Sequence, residues 1–123
     1  MAKAVGVGGV FLKARDPKAL SAWYAVHFGI QSVGDGTLLF SGPESAGMTT
    51  FAHFPLDTAY FGEGAQQAMV NLRVDNLDEL LEQLTAAGVR IDPKRDDSDY
   101  GRFAWIWDLE GNRVELWEAP KED

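Results

Sequence analysis

The chain has 123 residues and no cysteine, and its 11 Lys and Arg against 19 Asp and Glu give a net charge of -8 at pH 7. The 46% apolar and 24% charged residues are typical of one globular domain and exclude a disordered or fibrous chain. The negative charge argues against a nucleic-acid partner, and the lack of cysteine excludes disulfides and thiolate chemistry. Neither a secretory signal nor a membrane-spanning stretch is recognisable, so we expect a cytoplasmic protein with no membrane partner.

The first half of the chain predicts a strand, a helix and a hairpin. Residues 5–14 are rich in β-compatible side chains, and Asp16 followed by Pro17 is typical of a helix start. Gly29 is a plausible helix stop. Strands are predicted at 37–41 and 48–54, separated by turn residues. The turn residues are Gly42, Pro43 and Gly47, and the apolar stripe predicted on the helix consists of Leu20, Trp23, Tyr24 and Phe28.

The second half repeats this order after a loop-like connection. Residues 69–74 predict a strand, Asn76 a helix N-cap and Gly88 the end of a leucine-rich amphipathic helix. The polar run DPKRDDSD at 92–99 is interpreted as a surface loop. Two further strands follow at 100–107 and 112–118, joined by the turn DLEGN.

The two halves align at a shift of 60 residues, which indicates an internal duplication. Val10 then meets Val70, and Leu12 meets Leu72. We therefore expect an α+β fold of two tandem βαβββ modules that form an open, cup-shaped mixed β-sheet with helices on the outer face. We expect one domain over 1–123, with module one at about 4–55, a connecting loop at about 56–67 and module two at about 68–119. A cup of this kind commonly holds a small ligand.

The chain resembles the vicinal oxygen chelate superfamily, which includes glyoxalases, bleomycin-resistance proteins and extradiol dioxygenases. The segments VFLKARDPKALSAWY, VNLRVDNLDELLEQLTAAGV and YGRFAWIWDLEGNRVELWE carry the resemblance, and the last is the most specific. The resemblance implies four metal-ligand positions, one on the first and one on the last strand of each module. Glu115 fills one of them. Gly9 and Met69, which lack a suitable donor, fill two others.

The fourth ligand position is Pro55 at the shift of 60, with His53 two residues earlier and therefore predicted on the same strand face. Glu115 and His53 are the weak candidates for a metal site, and a catalytic site normally needs at least three protein ligands. We therefore expect no cofactor, although a divalent metal stays an alternative.

Strand alternation predicts which other side chains face the cup. Glu115 is the candidate catalytic residue, although a salt bridge from Glu115 to Arg73 or Arg113 is an equally simple interpretation. Val10, Leu12, Val70, Leu72, Val74, Val114 and Leu116 are predicted to face the helices. The predicted ligand-binding residues are Phe11, His53, Asn71, Arg73, Tyr100, Trp105 and Glu115.

Three functions are compatible with these residues. The first is a glyoxalase/bleomycin-resistance-like protein that binds a small organic molecule without the four-ligand metal site. The second is a divalent-metal-dependent lyase, isomerase or dioxygenase using Glu115 and His53, and the third is a cofactor-free enzyme with Glu115 as general base. The resemblance also implies a homodimer.

Overall fold

The computed structural model describes residues 1–41, 47–62 and 65–121, so part of the turn predicted from Gly42 and Pro43 lies outside the described residues. The described residues contain two helices and eight strands, which confirms the predicted α+β class with the order βαβββ twice. The chain divides into two compact units, Gly8–Met69 and a second unit made of Met1–Val7 with the residues from Val70 onward. None of the helices in the described residues has the length and apolar content needed to cross a membrane.

The first module has the strand order β2-β3-β4-β1, with β1 parallel to β4 and the other pairs antiparallel. Its helix begins as the sequence predicts, because the Asp16 side chain accepts a hydrogen bond from the Ala19 N–H (3.1 Å) and Pro17 follows the cap. Gly29 ends the helix in the left-handed conformation (φ 68°). The elements are β1 (Ala4–Ala14), α1 (Pro17–Phe28), β2 (Gln31–Gly34), β3 (Thr37–Phe40) and β4 (Thr49–Pro55).

The second module has the equivalent order β5-β8-β7-β6, with β5 parallel to β8. The Asn76 side chain caps α2 by accepting a hydrogen bond from the Glu79 N–H (3.1 Å), and Glu118 accepts a second from the Leu77 N–H (2.7 Å). The elements are β5 (Ala68–Val74), α2 (Leu77–Ala86), β6 (Ile91–Ser98), β7 (Gly101–Trp107) and β8 (Arg113–Glu118).

One face of the second module's sheet packs against α2 and forms its apolar core. The buried centre of this core contains Val74, Leu77, Ala104 and Leu116, with Leu72 and Val114 packed against it. Because side chains alternate along each strand, the odd-numbered residues of β5, β7 and β8 lie on the opposite face. Four members of the predicted helix-facing set are thus found in the second module, Leu72, Val74, Val114 and Leu116. The prediction is wrong for Val70, which is 40% exposed and is not among the residues of this core. The other face is left for polar and aromatic side chains.

The apolar stripe predicted on α1 is wrong in part. Trp23 is 50% exposed and Phe28 is 65% exposed, whereas the small Ser21 is the buried residue of the helix. The Ser21 hydroxyl bonds to the turn between β2 and β3 and to His53 of β4, which fixes this face of α1, so the larger rings contact one another on the outside. The spacing of apolar residues alone could not show that Ser21 is the buried residue of α1.

The polar run predicted as a surface loop is a strand. Residues of β6 pair antiparallel with β7, for example Arg95 with Ala104 and Asp97 with Arg102. The strand lies at the edge of the sheet, where most of its charged side chains stay in solvent. Backbone pairing to β7 therefore overrides the low strand propensity of this segment.

Candidate functional site

A buried carboxylate, Glu115, lies on the helix-free face of the second module. Glu115 is 2% exposed, Asn71 3% and Trp105 2%. Glu115 Oε1 accepts a hydrogen bond from Asn71 Nδ2 (2.7 Å), and Glu115 Oε2 accepts one from the Trp105 indole N–H (3.1 Å). Strand register places these groups together, since Glu115 of β8 pairs with Asn71 of β5 on one side and Trp105 of β7 on the other. Two neutral donors thus hold a carboxylate in a buried position.

The Asn71 amide is only partly satisfied. Its nitrogen donates to Glu115, but its oxygen Oδ1 is buried and has no hydrogen-bond partner among the described residues. Buried amide oxygens are normally paired, so an exception requires an explanation.

Aromatic side chains continue the same face beside this carboxylate. Phe103 and Trp117 stack with ring centroids 6.2 Å apart, and the Trp117 indole N–H donates to the Tyr100 carbonyl (2.8 Å). Gly101 makes this close approach possible, since a Cβ there would lie 2.5 Å from both Trp117 Nε1 and the Glu118 carbonyl oxygen. The predicted ligand-binding residue Tyr100 contributes its backbone carbonyl here. The residue as a whole is 79% exposed.

Arg113 forms a salt bridge with Asp92. Its guanidinium lies 2.7 Å from the Asp92 carboxylate and over the rings of Trp105 and Trp107. A hydrogen bond from the Lys94 backbone N–H and the Arg113 guanidinium both hold the pKa of Asp92 below its usual value. The guanidinium of Arg73 lies against the backbone of Gly6, where a Cβ would be 2.6 Å from it.

The predicted position of His53 is wrong. The His53 ring lies on the α1 side of the first module, where it stacks on Tyr24 (centroids 5.6 Å apart) and its Nδ1 is 2.8 Å from Ser21 Oγ. Phe54, the next residue along β4, points to the opposite face and contacts Phe11 (5.6 Å). His53 is therefore not on the strand face of Phe11.

The hydrogen bonds define the tautomer of His53. The single hydroxyl proton of Ser21 is donated to the Gly36 carbonyl (2.7 Å), so the Ser21 oxygen must accept the proton on His53 Nδ1. His53 Nε2 then carries a lone pair, and it is buried without a partner among the described residues. Burial lowers the pKa of His53, which keeps the ring neutral near pH 7.

Strand register also corrects the fourth metal-ligand position. Phe11 pairs with Ala52 in the first module, as Asn71 pairs with Glu115 in the second. The counterpart of Glu115 is thus Ala52, three residues before Pro55, because the segments between helix and last strand differ in length. An offset of three reverses the strand face, which accounts for the misplaced His53.

The residues at the four family positions do not fit a metal. Glu115 offers oxygen ligands, but Gly9 and Ala52 offer no donor, and the thioether of Met69 suits soft metals only. Gly9 is moreover tightly enclosed, since a Cβ there would lie 2.8 Å from the Thr50 carbonyl oxygen. Across the described residues, no group of three or more His, Cys, Asp or Glu side chains is placed to hold an ion.

In the first module, aromatic rings fill the helix-free face. Phe11 is 7% exposed and Phe61 1%, and Phe54 stacks on Tyr60 with centroids 5.3 Å apart. Lys13 lies over the Phe61 ring at 5.6 Å. Tyr60 and Phe61 therefore pack against Phe54 on this face.

An open cleft of ≈ 410 Å³ lies at the start of α1. Its acidic side chains already have partners, since Asp16 caps the helix and Asp35 lies 3.5 Å from Lys18. We place the candidate site at Glu115 because its carboxylate is buried, whereas Asp16 and Asp35 at this cleft are exposed.

Comparison with known proteins agrees with the fold. The profile of the Glyoxalase/Bleomycin resistance protein/Dioxygenase superfamily matches residues 6–116, and the chain belongs to this superfamily. Methylmalonyl-CoA epimerase from Mycobacterium tuberculosis has a similar structure, with a TM-score of 0.69, 22% identity, and coverage of 96% of this chain and 90% of that chain. No curated protein gives a significant sequence match.

Two further structures show the same fold. One is a variant of the Streptomyces coelicolor methylmalonyl-CoA epimerase in complex with 2-nitronate-propionyl-CoA, with a TM-score of 0.72, 14% identity, and coverage of 97% of this chain and 100% of that chain. The other is a superfamily member from Vibrio splendidus, with a TM-score of 0.58, 9% identity, and coverage of 96% and 99%. Identities this low support a common fold and do not transfer an activity.

Proposed function

We propose that this protein binds a small organic molecule on the helix-free face of its second module, beside Glu115, without the four-ligand metal site of its superfamily. The observation that carries the proposal is the carboxylate of Glu115, which is 2% exposed and held by Asn71 and Trp105. Burying a carboxylate costs free energy, so its retention on an otherwise aromatic face favours a ligand-related role.

The surroundings of Glu115 suit a flat, largely apolar ligand. Trp105 and Trp117, which are 2% and 7% exposed, and the half-buried Phe103 are the aromatic side chains of this face, and binding sites commonly combine aromatic side chains with a few polar groups. The structures of methylmalonyl-CoA epimerase with a bound CoA derivative support a ligand-binding role for this fold. The prediction that both modules line the cavity stays a prediction, as do the homodimer and the cytoplasmic location.

The metal-dependent alternative has less support. It relied on Glu115 and His53, and His53 lies under α1 with its Nδ1 engaged by Ser21. A cofactor-free reaction with Glu115 as general base stays compatible with the proposed binding site, and its test requires a substrate.

Nuclear magnetic resonance with flat aromatic fragments tests the proposed site, because the four tryptophans of the chain give separate indole N–H signals. We expect fragments to shift the signals of Trp105 and Trp117. Trp23, half exposed on α1, is the internal control and keeps its position. Shifts confined to Trp23, or no shifts at all, would contradict the proposal.

Metal content tests the metal-free part of the proposal. Elemental analysis of protein purified without chelator should find less than one equivalent of divalent metal per chain, and the same value for Glu115→Gln and for the exposed control Glu110→Gln. One equivalent in the wild-type chain and in Glu110→Gln, but none in Glu115→Gln, would show that Glu115 is a ligand.

A further inference from the structure

The unpartnered oxygen of Asn71 restricts the chemistry of the ligand. Glu115 accepts a hydrogen bond from the Asn71 nitrogen at 2.7 Å, so the Asn71 amide cannot flip while Glu115 is a carboxylate. Asn71 Oδ1 is therefore fixed as an acceptor, and it is buried without a donor among the described residues. A buried acceptor without a donor destabilises the protein, and a ligand that supplies an N–H or O–H recovers the loss.

The charges around Glu115 and Trp105 favour a neutral ligand. The Glu115 carboxylate next to Asn71 repels anions. The ammonium of Lys94 and the guanidinium of Arg113 each lie 5.1 Å from the centre of the Trp105 ring, which disfavours a second cation on that ring. A neutral hydrogen-bond donor satisfies the amide oxygen without either repulsion.

We infer that the ligand is a neutral molecule that presents an O–H or N–H donor, carried on a flat apolar group, to Asn71 Oδ1. This inference rests on the proposed function and adds the chemical class of the ligand. The donor bonds to Asn71, the apolar group lies against the aromatic face beside Trp105, and Glu115 holds the Asn71 amide in the accepting orientation.

Phenol and anisole are a suitable pair of probes, because they differ in one methyl group that removes the donor and both are neutral at pH 7. Titration followed by the Trp105 indole signal should give about tenfold tighter binding of phenol, since a missing donor leaves the acceptor unpaired. Glu110→Gln, on the exposed turn after β7, should keep this preference.

Glu115→Gln tests whether the Glu115 carboxylate fixes the orientation of the Asn71 amide, and it does so with a side chain of the same size. The Trp105 N–H is a donor only, so the oxygen of the introduced amide must face it and the nitrogen of that amide then faces Asn71. The side-chain amide of Asn71 then flips, so that Oδ1 accepts a hydrogen bond from that nitrogen and has a partner inside the protein. The preference for phenol over anisole should fall to less than about threefold.

The outcomes separate this inference from the proposed function. Wild-type protein that binds anisole as tightly as phenol, with a shift of the Trp105 signal, would overturn the inference and leave the proposed function standing. A phenol preference that persists in Glu115→Gln would also overturn it. If neither probe shifts Trp105 or Trp117 at millimolar concentration, both the inference and the proposed function fail.

Discussion

Ser21→Ala should destabilise the first module through the hydrogen bonds of a single hydroxyl. In the wild-type protein this hydroxyl donates to the Gly36 carbonyl (2.7 Å) and accepts from His53 Nδ1 (2.8 Å). After the substitution the Gly36 carbonyl keeps its bond from the His53 backbone N–H (2.8 Å), but the His53 ring loses its acceptor. Moving the proton to Nε2 gives no relief, because that atom has no partner among the described residues.

The expected loss is about 1–3 kcal/mol, the cost of leaving one buried donor unsatisfied. For a domain of this size that loss lowers the melting temperature by about 4–12 °C. Urea unfolding and thermal unfolding followed by circular dichroism measure both quantities. Ser32→Ala, on the exposed edge strand β2, is the matched control and should stay within about 0.5 kcal/mol of wild type.

A Ser21→Ala protein whose free energy of unfolding lies within about 0.5 kcal/mol of the wild-type value would refute the reasoning. It would mean that the hydroxyl contributes nothing to the placement of His53. The buried face of α1 would then need another explanation.

Two further predictions concern stability. Because burial lowers the pKa of His53, the unfolded chain binds more protons below about pH 6.5, and the free energy of unfolding should fall as the pH decreases through that range. This dependence should be weaker in His53→Gln than in His27→Gln, since His27 is exposed; equal slopes in urea titrations would contradict it. Gly101→Ala should cost about 3 kcal/mol or more, because φ is +124° and the new Cβ would clash with Trp117. Gly111→Ala, at φ +83° with no atom within 4 Å, should cost about 1–2 kcal/mol in the same assay, and equal losses would show that the clash is relieved.

Local sequence patterns predicted the elements whose causes are local. The caps at Asp16 and Asn76 appear in the structure as expected, because each side chain bonds to an N–H three residues away. The alternation along β5 and β8 correctly separated the leucine-rich core face from the face of Glu115, since a strand has a fixed period of two.

Features that depend on distant residues could not be predicted in the same way. The Asn71–Glu115 hydrogen bond joins residues 44 positions apart, and only the parallel register of β5 and β8 brings them together. His53 was predicted on the wrong face because the shift of 60 residues holds for β1 and β5 but not for β4 and β8. The segments between helix and last strand differ in length in the two modules. The strand β6 was missed because its pairing with β7 outweighs its charged composition.

The enclosure of Gly9 has a consequence for how such a chain can change over evolutionary time. A histidine or glutamate at this position would meet the Thr50 carbonyl and the Phe11 ring before it could reach an ion. Building the four-ligand site of the superfamily would require the backbone of β4 to move, together with new donors at Ala52 and Met69. No single substitution along that route would offer an ion a complete set of ligands, so the four-ligand site is several coordinated changes away from this sequence.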